Sequence, residues 1–214
     1  MIDANAFVAA TPGEVARQLG DAIHLWRMPW QREQGRAPLL AVLADYLQVD
    51  AASLRLETGE HGKPHLPNAH PLRFNWSHSG EFALLALARD ADPGVDIEQP
   101  REGVRTQELA DRFFAPAEAR TLAGLSESAR DASFLRLWSA KEAVLKALGH
   151  GLSFGLERIE FVFGDDGWLP DRFDPEAGAA QEWQMLSIRA AAGYTGALAW
   201  YGFSRRVQAW SLAR

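Results

Sequence analysis

Residues 134–149 read FLRLWSAKEAVLKALG and form the most strongly patterned segment of the chain. At 100° per residue their apolar side chains fall on one arc, which predicts an amphipathic helix over residues 131–148. Gly149 and Gly151 are typical of residues that end such a helix. The arc consists of Phe134, Leu137, Trp138, Val144, Leu145 and Leu148.

Three charged residues of this helix need an explanation. Lys141 falls inside the apolar arc, where a lysine must snorkel, pair with a carboxylate or line a site. Glu142 and Lys146 stand one turn apart at the edge of the arc. Their simplest interpretation is a helix-surface pair that contributes about 0.3–0.5 kcal/mol. The alternative is a metal-binding carboxylate with a cation beside it, as a phosphate site requires.

The stretch VDIE, residues 95–98, alternates like a β-strand. Asp96 and Glu98 then leave one face, and Val95 and Ile97 point from the other face into the core. Two carboxylates side by side repel each other, and a hard divalent cation with oxygen ligands relieves that repulsion. Mg²⁺ or Mn²⁺ is the natural ion for such ligands. The alternative is a solvated outer strand face.

Hydroxyls, an imidazole and a glycine crowd residues 74–80, FNWSHSG, just before an apolar run at residues 82–88. This composition predicts a polar turn in which backbone amides, Ser77 and His78 either bind an anion or cap the backbone. Adjacent Ser77 and His78 do not suit a hydrolase Ser–His pair, and no G-x-S-x-G elbow is present. Gly62-Lys63-Pro64 predicts a rigid turn that presents a cation, but it specifies no ligand by itself.

The rest of the pattern predicts an α/β (α+β) protein. Helices are expected at residues 38–47 and 116–125, and residues 170–181 are expected to form an irregular loop. The expected strands cover residues 23–28, 53–57, 82–88, 95–99, 158–163, 183–188, 197–203 and 207–212. A helix followed by strands occurs twice, with a join near residues 99–106.

Composition narrows the class of protein. The 214 residues are 47% hydrophobic and 23% charged, as in soluble globular proteins, and the net charge of −6 argues against a strongly basic nucleic-acid or membrane-surface protein. The absence of cysteine excludes a thiolate nucleophile and cysteine metal sites. The sequence shows neither a membrane-length apolar run nor a signal peptide, so we expect a cytoplasmic location.

The segments GKP, FNWSHSG, GVDIE and WSAKEAVLKALGHGL, in this order, resemble the 4′-phosphopantetheinyl transferases of the surfactin-synthetase-activating (Sfp-like) class. The match runs from about Arg36 to Ser153. The resemblance implies two pseudo-symmetric lobes, residues 1–103 and 104–214, with the active site at their junction and a monomeric chain. It also implies transfer of the phosphopantetheine arm of coenzyme A to a serine of an acyl or peptidyl carrier protein. That reaction requires Mg²⁺ and releases adenosine 3′,5′-bisphosphate.

The resemblance assigns roles to individual residues. Asp96, Glu98 and Glu142 would hold Mg²⁺, and Glu142 or a metal-bound water would take the serine proton. Lys146 would offset charge on the bridging phosphate. The residues implied for coenzyme A binding are Arg36, Lys63, Pro64, Ser77 and His78. The role of Lys141 stays open between a structural ion pair and a ligand contact.

Two other functions are compatible with the same residues. A metal-dependent coenzyme A pyrophosphohydrolase would use the three carboxylates without a carrier protein. A non-catalytic domain would only bind a carrier protein. Carrier proteins are acidic, so docking on this acidic chain requires a local basic surface, for which we expect Arg101, Arg105 and Arg112.

Overall fold

Two β-sheets lie face to face between helices in the computed structural model, which describes residues 1–67, 70–165 and 167–212. The helices are α1 (Pro12–Val15), α2 (Ala37–Leu47), α3 (Thr106–Phe113), α4 (Pro116–Ala123) and α5 (Glu127–Leu148). The strands are β1 (Val8–Ala10), β2 (Ile23–Pro29), β3 (Glu57–Thr58), β4 (Pro64–His65), β5 (Leu72–Ser79), β6 (Phe82–Arg89), β7 (Gly94–Glu98), β8 (Ile159–Gly164), β9 (Gly167–Phe173), β10 (Trp183–Ile188), β11 (Thr195–Tyr201) and β12 (Val207–Leu212).

The larger sheet has the strand order β1-β12-β2-β6-β5, and the smaller sheet has the order β10-β11-β7. Strand β12 runs parallel to both of its neighbours, whereas the other pairs in these two sheets are antiparallel. Two separate hairpins, β3-β4 and β8-β9, complete the strand pairing. Strands β5 and β7 therefore each end a sheet.

Three apolar clusters hold these layers together. Leu25, Leu84, Val95 and Leu198 belong to the cluster that lies between the two sheets. Helix α2 covers the other face of the larger sheet, and helix α5 covers the other face of the smaller sheet. In the segments that the structure describes, no helix has both the length and the apolar composition needed to cross a membrane.

The mixed α and β composition is confirmed, and most predicted elements agree with the structure to within a few residues. Three expectations are wrong. Residues 74–79 of the expected polar turn lie in strand β5, and β9 occupies the start of the expected loop at residues 170–181. The strand expected at residues 53–57 begins only at Glu57, after a 3₁₀ turn at Ala51–Ser53. Strand β5 was missed because the crowded hydroxyls, imidazole and glycine of residues 74–80 were interpreted as a turn, although Leu72, Phe74 and Trp76 alternate with polar residues and pack on the core.

The sheets do not follow the expected division at residue 103. Strand β12 comes from the end of the chain but pairs with β2. Strand β7 precedes residue 103 but pairs with β11. Two lobes at residues 1–103 and 104–214, and their pseudo-symmetry, therefore stay predictions.

Lys141 is a structural residue of this fold. Its side chain is fully buried, and its ammonium lies 2.8 Å from the Glu118 Oε1 carboxylate oxygen. It also donates hydrogen bonds to the carbonyl oxygens of Leu156 and Ile159. Burial lowers the pKa of Lys141 to about 8, opposed by Glu118. The ion pair joins α4 and α5 to the chain that enters β8, which accounts for the lysine in the apolar arc of α5.

Replacing Lys141 by methionine should lower the free energy of unfolding by about 3–5 kcal/mol, because Glu118 would remain buried without its partner. Chemical denaturation measures the change. The matched control is Arg172→Met, which breaks the exposed pair with Glu160 and should change stability by less than about 0.5 kcal/mol. Equal stability losses in the two variants would contradict a structural role for Lys141.

Candidate functional site

Strand β7 lies against helix α5 with almost no space between their backbones. In the β7–β11 register, Gly94 and Asp96 are opposite Ala199 and Ala197, which pack in the cluster that contains α5. A Cβ atom at Gly94 would overlap the backbone of Ala143 and Ala147, the neighbours of Glu142 and Lys146. Glycine therefore allows the close approach that brings the acidic strand to the charged edge of α5.

Asp96 is the centre of this contact, and only 2% of its surface is exposed. Its Oδ1 atom accepts hydrogen bonds from Ser77 Oγ at 2.9 Å and from Lys146 Nζ at 2.6 Å. The Lys146 ammonium is also 2.9 Å from Ser77 Oγ, so the three groups form a closed triangle. The other oxygen, Oδ2, is buried without a hydrogen-bond partner among the described residues. A buried acceptor in this state needs a partner, which a water molecule, an ion or a ligand can supply.

Two further carboxylates surround this triangle. Burial, and next the charge of Asp96, raise the pKa of Glu98 to about 7, although Lys146 opposes the shift. Burial also raises the pKa of Glu142, which Lys146 opposes and Asp96 reinforces. Glu98 Oε2 has one weak contact, with Ser79 Oγ at 3.4 Å. The Lys146 ammonium thus faces three acidic groups, of which Glu98 also feels the positive charge of Arg101, and the raised pKa values show that the cluster favours an additional positive charge.

The donor set suits a hard divalent cation such as Mg²⁺, because every candidate ligand is a carboxylate oxygen and Asp96 Oδ2 needs a partner. The three carboxylates are not gathered into a finished site. Across residues 1–67, 70–165 and 167–212, no group of three acidic or histidine side chains is close enough to hold a metal ion. The Lys146 ammonium occupies the contact with Asp96 Oδ1.

The pair Ser77 and His78 does not act as one unit, because adjacent residues of a strand point to opposite faces. Ser77 is buried beside Asp96, whereas His78 is exposed. The His78 ring stacks on Trp30 with centroids 3.7 Å apart and planes 14° from parallel. Burial, and then the nearby positive charge of Lys146, lower the pKa of His78. The imidazole therefore favours its neutral form.

A family model matches these elements directly. Residues 92–197, from the turn before β7 into β11, match the model of the 4′-phosphopantetheinyl transferase superfamily. The chain is 28% identical to the 4′-phosphopantetheinyl transferase HetI of Nostoc sp., over 90% of this chain and 93% of HetI. The chain belongs to the 4′-phosphopantetheinyl transferase superfamily. This assignment confirms the resemblance given by the four motifs.

Other members of the superfamily match a shorter segment. The chain is 34% identical to the transferase Sfp of Bacillus subtilis over 63% of this chain and 61% of Sfp. A second 4′-phosphopantetheinyl transferase of Bacillus subtilis is 36% identical over 59% of this chain and 57% of its own length. The chain thus spans about three fifths of these two transferases.

The motif lysine of GKP has a contact that the sequence did not predict. Lys63 Nζ donates to the carbonyl oxygen of Ala147 at 3.0 Å, at the C-terminal end of α5, and lies 3.8 Å from Asp92. Burial lowers the pKa of Lys63, and Asp92 opposes that shift. A cation at this end of a helix interacts favourably with the helix dipole. Lys63 therefore fastens the GKP loop to the helix that carries Lys146.

The other two residues implied for coenzyme A binding, Pro64 and Arg36, do not belong to the hydrogen-bonded triangle of Asp96, Ser77 and Lys146. Pro64 begins β4, and Arg36 is exposed immediately before α2. Within the described part of the chain, no side-chain hydrogen bond or ion pair joins either residue to Asp96, Ser77 or Lys146. Their roles toward coenzyme A stay proposals based on the family motifs.

Several residues that support the site were missed in the sequence. Asn75 and Ser79 contact β7, Glu118 pairs with Lys141, and Trp30 stacks on His78. Residues 75, 77 and 79 are polar at every second position, which is a strand signal. Nothing in the sequence alone pairs Glu118 with Lys141 or Trp30 with His78, because both contacts depend on tertiary packing.

Replacing Glu98 by glutamine should raise the melting temperature of the metal-free protein at pH 8 by about 2–4 °C. The pKa of Glu98 is raised to about 7 in the folded protein, so ionisation destabilises the fold as the pH rises through that value. The difference between the two proteins should shrink at pH 5.5, where Glu98 is protonated. Calorimetry in EDTA measures it.

The matched control for this prediction is Glu108→Gln, at an exposed position of α3. Its melting temperature should differ little from that of the unaltered protein at either pH. A Glu98→Gln variant that is less stable at pH 8 would show that the Glu98 charge is compensated in the free protein.

Proposed function

We propose that this protein transfers the 4′-phosphopantetheine group of coenzyme A to a serine of an acyl or peptidyl carrier protein, and that the transfer requires Mg²⁺. The proposal rests on membership of the superfamily and on one observation in the site. Asp96 is almost fully buried, shares Lys146 with Ser77, and keeps one carboxylate oxygen without a partner among the described residues. A fold tolerates such a group when a ligand completes it.

Asp96, Glu98 and Glu142 would hold the Mg²⁺ ion, which supplies positive charge to the pyrophosphate of coenzyme A. The burial of Asp96 and the half-buried positions of Glu98 and Glu142 support this role, because charge interactions are stronger where water is excluded. Phosphoryl transfer depends on alignment and charge neutralisation more than on a protein nucleophile. The absence of a cysteine nucleophile is consistent with that chemistry.

Lys146 would neutralise charge on the leaving group, and Glu142 would accept a proton. The Lys146 side chain is 26% exposed, so its ammonium reaches both Asp96 and the open side of the site. There it would offset charge on the departing adenosine 3′,5′-bisphosphate. The raised pKa of Glu142 makes its carboxylate a stronger base, as a group that accepts the proton of the carrier serine requires.

The reaction is tested by incubating the protein with coenzyme A, Mg²⁺ and an apo carrier protein, followed by intact-mass measurement of the carrier. We expect a mass gain of one phosphopantetheine group that EDTA abolishes. Coenzyme A cleaved without carrier modification would instead indicate a pyrophosphohydrolase. Coenzyme A left unchanged with several carrier proteins would favour a binding domain.

Replacing Asp96 by asparagine should lower kcat by at least about 100-fold, since Asn keeps the size of the side chain but removes its charge. Initial rates of carrier modification measure the effect. The matched control is Asp45→Asn on the exposed face of α2, which should retain the normal rate. Near-normal turnover by the folded Asp96→Asn variant would refute the assignment of Asp96.

The carrier would dock on arginines that follow β7. Arg101, Arg105 and Arg112 are exposed, and Arg105 forms an ion pair with the exposed Glu108 at 2.8 Å. These exposed guanidinium groups would attract an acidic partner although the whole chain carries a charge of −6.

Reversing the charge at Arg105 and Arg112 together should raise the KM for the carrier protein by about tenfold, because rim charges steer association. The KM for coenzyme A should not change. Steady-state kinetics with each substrate varied in turn give both values. The matched control is Arg55→Glu near α2, and an equal KM for the carrier in the double variant would remove these arginines from the docking surface.

A further inference from the structure

Strands β5 and β7 lie side by side but belong to different sheets. Each is the last strand of its sheet, β5 in the five-stranded sheet and β7 in the three-stranded sheet. The contacts between them are made by side chains. Residues 75, 77 and 79 contact residues 95, 96 and 99 in that order, so β5 and β7 run in the same direction.

Three buried side chains on one face of β5 make these contacts. Asn75 Oδ1 accepts a hydrogen bond from the backbone amide of Val95 at 2.8 Å. Ser77 Oγ donates to Asp96 Oδ1. The exposed fractions of Asn75, Ser77 and Ser79 are 5%, 8% and 4%.

Ser79 completes the row at the far end of β7. Its hydroxyl accepts a hydrogen bond from the backbone amide of Gln99 at 3.1 Å and lies 3.4 Å from Glu98 Oε2. The amides held by Asn75 and Ser79 thus lie on either side of Asp96 and Glu98. Asp96 and Glu98 therefore lie between two backbone amides, those of Val95 and Gln99, that are hydrogen-bonded to β5.

We propose that Asn75 and Ser79 are positioning residues for the transfer reaction: they fix β7 so that Asp96 and Glu98 face the edge of α5 at the correct distance. This inference rests on the proposed function and deepens it. The residues act through the backbone of β7 and touch no reacting atom. Ser77 lies between them on the same face of β5 and contacts Asp96 itself.

The first test measures the contacts themselves. In Asn75→Leu and Ser79→Ala, hydrogen exchange of the metal-free protein should be at least tenfold faster at the amides of Val95 and Gln99 respectively. Amides in β2 and β6 should keep their protection. This readout does not depend on activity. Unchanged protection at both amides would overturn the proposal, and Ser79→Ala, a smaller change, decides the matter if Asn75→Leu does not fold.

The second test separates positioning from stability. Both variants should lower kcat for carrier modification by about 10- to 100-fold, with KM values for coenzyme A and carrier within threefold of normal. Ser79→Thr, which keeps the hydroxyl, should recover part of the rate. The control is Val42→Ala, in the core between α2 and the larger sheet, which loses stability without moving β7.

These measurements distinguish a failure of the positioning role from a failure of the proposed function. A loss of kcat no larger than that of Val42→Ala would overturn the positioning role. If the unaltered protein modifies no carrier, the proposed function fails. Faster exchange at Val95 and Gln99, with weaker Mg²⁺-induced stabilisation of the variants, would then still support the positioning of the acidic strand.

Discussion

The 2.6 Å contact between the partly exposed Lys146 ammonium and the buried Asp96 carboxylate is the interaction on which the arrangement of the site depends. It joins α5 to β7, and through Ser77 it joins both to β5. A buried ion pair is costly to form, and it stabilises a fold only when further hydrogen bonds complete it. Here one carboxylate oxygen lacks such a bond among the described residues, so the fold carries an unmet electrostatic requirement.

That requirement explains why stability and the proposed activity oppose each other at this site. The pKa of Glu98 is raised to about 7, and that of Glu142 is raised as well, because burial and neighbouring negative charge disfavour their ionised forms. A fold selected only for stability would replace such groups. Retaining them is reasonable if a divalent cation and a pyrophosphate bind there together, since the two supply compensating charges.

The sequence indicated candidate residues for the site but did not predict the contacts that hold them in place. Asp96, Glu98, Glu142 and Lys146 were recognised because the strand and helix periods place them on defined faces, and the structure brings Asp96 and Lys146 into contact. The bridge from β5 was not foreseen, since its strand was interpreted as a turn. Of the two roles left open for Lys141, the structure shows the ion pair, with Glu118, and it gives Lys63 a contact with the end of α5 that the sequence did not predict. Both contacts join residues far apart in sequence, which local patterns do not encode.

In the proposed reaction, the buried carboxylate of Asp96 and coenzyme A together bind the Mg²⁺ ion. Isothermal titration of Mg²⁺ into the protein saturated with coenzyme A, compared between the unaltered chain and Asp96→Asn, tests it most directly. The account predicts one Mg²⁺ ion per chain and an affinity at least about 100-fold weaker in the variant. Equal Mg²⁺ affinity in the two proteins would contradict it.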